Sequence, residues 1–233
     1  MEFTITNNIK DGLGAQLMGP LTMMIFSELN ELKYLYKPVI KVCHNFNEDP
    51  DYEKKIEEIF EFDKFCKKAN INTPSYYINQ GFIHYLFGNA GKIEKSNILK
   101  EIRSHYYKKN PKSKNEIKKI AIHIRRPSKY DTIDYHINDP EDYYIKTLIK
   151  VIKENEGPFK VDIYSLSKPI DENLQWNLRI NEDIIKNIYE MMDADYFIGS
   201  ISNLSYLIAY IRGFNNYFPE ESHNVYPRLN DWK

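Results

Sequence analysis

Between residues 117 and 212 the sequence alternates short runs rich in β-branched residues with longer stretches of helical period, and few folds accept that rhythm. Residues 117–124 read as a strand and 141–154 as a helix entered after Pro140. Residues 159–164 read as a strand, 183–192 as a helix, 196–199 as a short apolar strand, and 203–212 as a helix behind a serine turn. A parallel strand neighbour needs a crossover connection, and the apolar stripe of a crossover helix needs a sheet to cover, so this alternation predicts an α/β fold with a parallel sheet. Ligands of such sheets bind beyond the carboxyl ends of the strands. That rule selects residues 125–134, 165–167 and 200–202.

The first half carries a weaker version of the same pattern. Residues 3–6 read as a strand, and 15–33 as a helix on which Leu17, Leu21, Met24, Ile25 and Leu29 recur at helical spacing. Pro20 falls inside that helix and is expected to kink it or delay its start. Residues 38–43 read as a second strand, 51–62 as an amphipathic helix and 92–108 as another helix. Residues 70–89 are rich in aromatics and show no clear period. The polar stretch KNPKSKNE at 109–116 reads either as a boundary between halves 1–112 and 113–233 or as a surface loop.

The 233 residues are enough for a sizeable core, with 42% hydrophobic and 28% charged residues. Lys plus Arg number 32 and Asp plus Glu 33, a net charge of -1, which removes the electrostatic case for a general nucleic-acid binder. Cys43 and Cys66 sit in no CxxC and no zinc-type spacing, so two reduced thiols are expected and no metal site. The first residues lack the basic start and apolar run of a signal peptide, and no stretch of about 18 apolar residues occurs. No membrane span and a cytoplasmic location are therefore expected.

Chemistry concentrates at three places. In Ala121-Ile-His-Ile-Arg-Arg126 a strand ends in two adjacent arginines, with His123 two residues before the first. Adjacent strand residues point to opposite faces, so Arg125 and Arg126 serve different purposes: one aims at the ligand crevice and the other braces a carboxylate. A guanidinium meets a phosphate with two parallel hydrogen bonds and can replace a divalent metal there. In residues 194–205 a strand runs through Gly199 and Ser200 into a helix that Ser202 can cap. The amide groups of that helix start, with Ser200, Ser202 and Asn203, suit a phosphate. Asp11-Gly12-Leu13-Gly14 is a short glycine loop before a helix, with the spacing of neither GxGxxG nor the P-loop.

Together these segments resemble the α-1,2/α-1,6-fucosyltransferase superfamily. DGLGAQL resembles its glycine loop, His123-Ile-Arg-Arg126 its HxRRxD motif, and residues 193–205 its third motif, an acidic-aromatic strand followed by serines; the three stand in family order. The resemblance implies a GT-B fold, two small Rossmann-like domains with parallel sheets facing a cleft. Residues 1–112 would form the acceptor side and 113–233 the nucleotide-sugar side. It implies an inverting transfer from GDP-fucose onto a glycan hydroxyl, with no metal. Arg125 would bind and stabilise the leaving diphosphate, His123 would lie near the guanine or ribose, and Ser200 and Ser202 would line the phosphate site. The sequence departs from the motif at Ser128, where the family has an aspartate, and Asp131 and Asp134 follow just beyond.

Inverting transfer needs a base at the acceptor hydroxyl and charge stabilisation at the leaving diphosphate. Asp131, Asp134, His136 and Asp11 are the candidates for the base. Asp183 is a candidate partner for the guanine donors or a plain helix cap, and Ser165 lies at a strand end on the ligand side. Tyr76, Tyr77, Tyr85 and Trp176 are candidates for a sugar-stacking surface or for core packing. Two other readings stay open: a transferase on the same scaffold using a different nucleotide sugar, and an inactive GT-B-like binding or scaffold module. The partners expected are a nucleotide-sugar donor, a glycan or glycoconjugate acceptor, and a second copy of the chain as a possible homo-oligomer.

Overall fold

The computed structural model describes residues 2–6, 12–39, 49–77, 93–114, 116–126, 141–169, 177–180 and 182–219. The strand β1 (Glu2–Thr6) leads to the long helix α1 (Leu13–Leu29), then to β2 (Lys33–Tyr34), α2 (Tyr52–Phe60), a 3-10 turn (Phe62–Lys64) and β3 (Ser75–Tyr77). Helix α3 (Asn97–Lys109) precedes β4 (Lys118–Ile124), α4 (Glu141–Glu154), β5 (Phe159–Ser165) and β6 (Leu178–Ile180). Helix α5 (Ile184–Asp193), β7 (Tyr196–Ile198), α6 (Asn203–Arg212) and β8 (Asn216–Tyr217) follow. Two sheets result, β2-β1-β3 and β6-β5-β4-β7-β8, and every pairing in them is parallel.

The α/β class is thus as the alternation predicts. In the larger sheet the chain moves outward from β4 through β5 to β6, then crosses to the other side of β4 for β7 and β8. The strand order therefore reverses between β4 and β7, the switch point of the sheet, and ligands of such sheets bind beyond the carboxyl ends of the strands there. The three-stranded sheet repeats the arrangement on a smaller scale, with β1 in the centre and the chain leaving it through α1.

The alternation of side chains along β4 divides the packing. Ile120, Ile122 and Ile124 pack with Tyr144 and Val151 of α4. Ala121 faces the opposite way, into a second hydrophobic cluster that contains α5, α6, α1, α2 and α3. That cluster joins residues of both halves of the sequence, from Ile5 to Phe218. Helix α1 lies at its centre and is buried nearly all round, so its apolar residues form no single stripe. Each fully buried Leu, Ile or Met contributes about 1.5–3 kcal/mol.

Two local expectations are corrected. Helix α1 begins at Leu13 despite Pro20, and it ends at Leu29 rather than near 33. The burial of Gly19 and Pro20 in the cluster offsets the lost backbone hydrogen bond. Asn30 then closes the helix, its side-chain amide donating to the Phe26 carbonyl at 2.8 Å. The second strand is Lys33–Tyr34 and not 38–43: β2 pairs with Glu2 and Phe3, whereas Pro38 and Val39 lie in no strand and 40–43 fall outside the described residues. Proline cannot donate to a ladder, which weighs against a strand there.

Side chains lock the helix ends. The Glu28 carboxylate at the end of α1 accepts from the Ser96 hydroxyl at 2.5 Å and from the Asn97 amide at 2.9 Å, so α1 caps α3. Arg212, at the end of α6 and only 2% exposed, donates through Nη1 to the carbonyls of Met191, Met192 and Ala194 at 2.7–2.9 Å. It thereby satisfies the carboxyl end of α5 and reaches β8 through Asn216 Oδ1 at 3.2 Å. Burial pushes the Arg212 guanidinium down to about 10. Cys66 is a free, half-buried thiol, and burial pushes it up to about 12, which makes it unreactive; Cys43 lies outside the described residues.

Candidate functional site at the β4/β7 switch point

The ends of β4 and β7 and the starts of α6 and α1 come together at this switch point. Beyond the pair Ile122–Ile198, β4 runs on to His123, Ile124 and the two arginines, while β7 runs into Gly199 and Ser200. Gly199 has no room for a side chain: a Cβ would stand 2.7 Å from the Phe218 ring. The chain then turns at once into α6. Ser202 is its N-cap, and the Ser202 hydroxyl oxygen accepts from the Ser205 amide at 3.2 Å.

The start of α1 arrives at the same place. Gly12 is its N-cap and supplies no side-chain cap. A Cβ on Gly14 would stand 2.4 Å from the Leu204 nitrogen and 2.8 Å from its Cα. The first turns of α1 and α6 are therefore in backbone contact, and the positive ends of two helix dipoles meet beside the end of β4. Nothing in the spacing of Gly12 and Gly14 foretold Leu204 as the neighbour.

The two arginines follow directly on β4, which ends at Ile124. Arg126 donates to the Glu141 carboxylate at the start of α4. Its other amino group donates to the Arg125 carbonyl at 3.2 Å. Among the described residues Glu141 is the carboxylate that holds Arg126, and Asp131 and Asp134 lie outside them. Arg125 is half-buried, and its charge acts on His123.

His123 is embedded in a cluster of serine hydroxyls. Its Nδ1 lies 2.7 Å from Ser205 Oγ and 3.4 Å from Ser200 Oγ. The Ser200 amide donates to Ser205 Oγ at 3.0 Å, the Ser200 and Ser205 hydroxyl oxygens are 3.1 Å apart, and the Ser200 hydroxyl donates to Ser202 Oγ at 3.2 Å. Ser200 and Ser205 are fully buried. Burial, and then the nearby Arg125 charge, push the His123 imidazole down to about 4, so it is neutral at physiological pH. Ser205 closes the serine-bearing segment 193–205 but was given no role in the sequence; its place one turn after the N-cap put it on the inner face of the helix.

The remaining candidates divide. Asn203 opens α6 and is half-buried. Ser165 closes β5 beside Ile124, but its hydroxyl donates to the Ser167 carbonyl at 2.7 Å. Asp183 caps α5, accepting from the Ile185 amide at 2.9 Å. Tyr76 lies on β3, 51% exposed, and Tyr77 follows it on the same strand. Asp11, Asp131, Asp134, His136, Tyr85 and Trp176 lie outside the described residues. Among the described residues no group of three or more His, Cys, Asp or Glu could hold a metal ion, and no helix is long and apolar enough to cross a membrane.

No family model matches the chain, and neither a curated protein nor a solved structure matches it at a significant level.

Proposed function

We propose that the chain binds a nucleoside-diphosphate sugar at the β4/β7 switch point and acts as a metal-independent, inverting glycosyltransferase, with GDP-fucose as its donor. The observation that carries this reading is the backbone contact of the α1 and α6 starts, Gly14 on Leu204, close to His123 and the Arg125 charge that acts on it. Helix N-termini present amide donors and partial positive charge, and a guanidinium adds a fixed full charge. That combination suits an anion that gains charge as it leaves, which is the demand of sugar transfer from a diphosphate.

In this reading Arg125 binds the diphosphate and stabilises it as the glycosidic bond breaks. Ser202 and the first amides of α6 hold phosphate oxygens, and the glycine start of α1 closes over them without side chains. Arg126, tied to Glu141, fixes the backbone from which Arg125 extends. The choice of guanosine and of fucose rests on the likeness of the three motifs to the fucosyltransferase superfamily. The proton acceptor at the sugar acceptor is drawn from Asp11, Asp131, Asp134 and His136.

Calorimetric titration of GDP, UDP and GDP-fucose in EDTA, on the native chain and on Arg125→Ala, tests it. Metal-independent GDP binding that weakens at least tenfold in the variant supports the arginine site. Preference for UDP would move the donor to another nucleotide sugar. A folded native chain that binds none of the three would end the enzyme reading.

A further inference from the structure

Ser205 touches His123 from the first turn of α6, and the polarity of its contacts decides what the imidazole offers. Each hydroxyl donates one hydrogen bond and can accept two. Ser205 Oγ already accepts from the Ser200 amide, and Ser202 Oγ already accepts from the Ser205 amide. Ser200 and Ser205 are both fully buried, so their protons must find acceptors within the protein. One orientation uses all three remaining short contacts once each. His123 Nδ1–H donates to Ser205 Oγ, the Ser205 hydroxyl to Ser200 Oγ, and the Ser200 hydroxyl to Ser202 Oγ. The reverse, with Ser205 donating to Nδ1, leaves one of the Ser200 contacts without a proton. It would also put an Nε2–H on a ring beside Arg125, a residue that has only donors to offer.

We propose that Ser205 is a positioning residue that holds neutral His123 as its Nδ1–H tautomer. The chain of hydroxyls then leaves His123 Nε2 as a lone pair and turns the Ser202 hydroxyl proton outward at the start of α6. The two ends of the relay so have opposite demands. The group that meets His123 Nε2 must be a hydrogen-bond donor, such as a sugar hydroxyl or a ring N–H. The group that meets the Ser202 hydroxyl must be an acceptor, such as a phosphate oxygen. This deepens the nucleotide-sugar reading and rests on it for the ligand, while the tautomer belongs to the free protein.

The test is long-range ¹H–¹⁵N correlation spectroscopy of the histidine rings at neutral pH, with His123 assigned through His123→Gln. The expected pattern is a protonated Nδ1 and a bare Nε2, lost in Ser205→Ala and restored in Ser205→Thr, which keeps the hydroxyl. A native ring protonated at Nε2, or a pattern unchanged in Ser205→Ala, overturns the proposal. If Ser205→Ala does not fold, Ser200→Ala takes its place: it interrupts the relay one step on, and exchange between tautomers is expected. In parallel, GDP titration in EDTA should weaken about tenfold in Ser205→Ala, the loss of roughly one positioned hydrogen bond. The expected tautomer in a native chain that binds no nucleotide would uphold Ser205 and reject the donor site.

Discussion

Gly14 and Leu204 meet backbone to backbone, with no space for even a methyl group between the first turns of α1 and α6. Gly14 lies inside a helix, where alanine is ordinarily better by about 1 kcal/mol. Here the nearest atoms belong to another backbone, which cannot swing aside as a side chain does. Gly14→Ala is therefore expected to destabilise the fold by about 2 kcal/mol or more, against its propensity gain. Urea unfolding checks it, and a variant as stable as the native chain would show that the helices separate at no cost.

The enclosure of His123 among serine hydroxyls beside the Arg125 charge makes stability depend on pH. Its folded-state value of about 4 lies below the ordinary 6.5, so the unfolded chain takes up the proton first as pH falls. The contribution is fully present above pH 6.5 and is lost as pH falls through the interval to about 4, amounting to about 3 kcal/mol. The difference in unfolding free energy between the native chain and His123→Gln, followed from pH 7 to 4, should shift in the variant's favour by an amount of that order. A difference that stays flat would place the imidazole in water.

Arg126 and Glu141 form a pair whose side chains are 12% and 16% exposed, dry enough for the loss of one partner to cost more than the pair is worth. Glu141→Gln alone is expected to cost about 1–3 kcal/mol. Combining it with Arg126→Met should recover part of that loss. A double-mutant cycle measures the coupling, and additive single losses would mean that the two groups do not act together.

Arg212 holds three carbonyls at the end of α5, and no apolar side chain can replace it. Arg212→Met keeps much of the volume but leaves those oxygens buried and unpaired. The expected loss is about 3–5 kcal/mol, read as a fall in thermal midpoint. A gain in stability would mean that water enters to replace the guanidinium.

Much of this fold could be read along the chain, because strands and helices with strong periods declare themselves locally. The three strands and three helices read between residues 117 and 212 lie where their periods put them, to within a residue or two. The weaker strands were not legible. β3, β6 and β8 are two or three residues long, and such segments are defined by the neighbour they pair with rather than by their own composition. β2 was displaced for the same reason: Lys33 and Tyr34 carry little strand signal until β1 stands beside them.

At the site, the sequence by itself determined that two arginines follow directly on a buried strand, because the strand's run of β-branched residues is local. It also fixed Ser202 as a helix cap, a bond made within four residues. Only tertiary structure decided which carboxylate holds Arg126, because Glu141 arrives from 15 residues away. Only tertiary structure brought Ser205 to His123 across 82 positions, and Gly14 to Leu204 from opposite ends of the chain. The physical reason is the same in each case. Local order depends on spacing along the chain, whereas these contacts depend on how sheets and helices stack, and that is settled by the burial of the whole core.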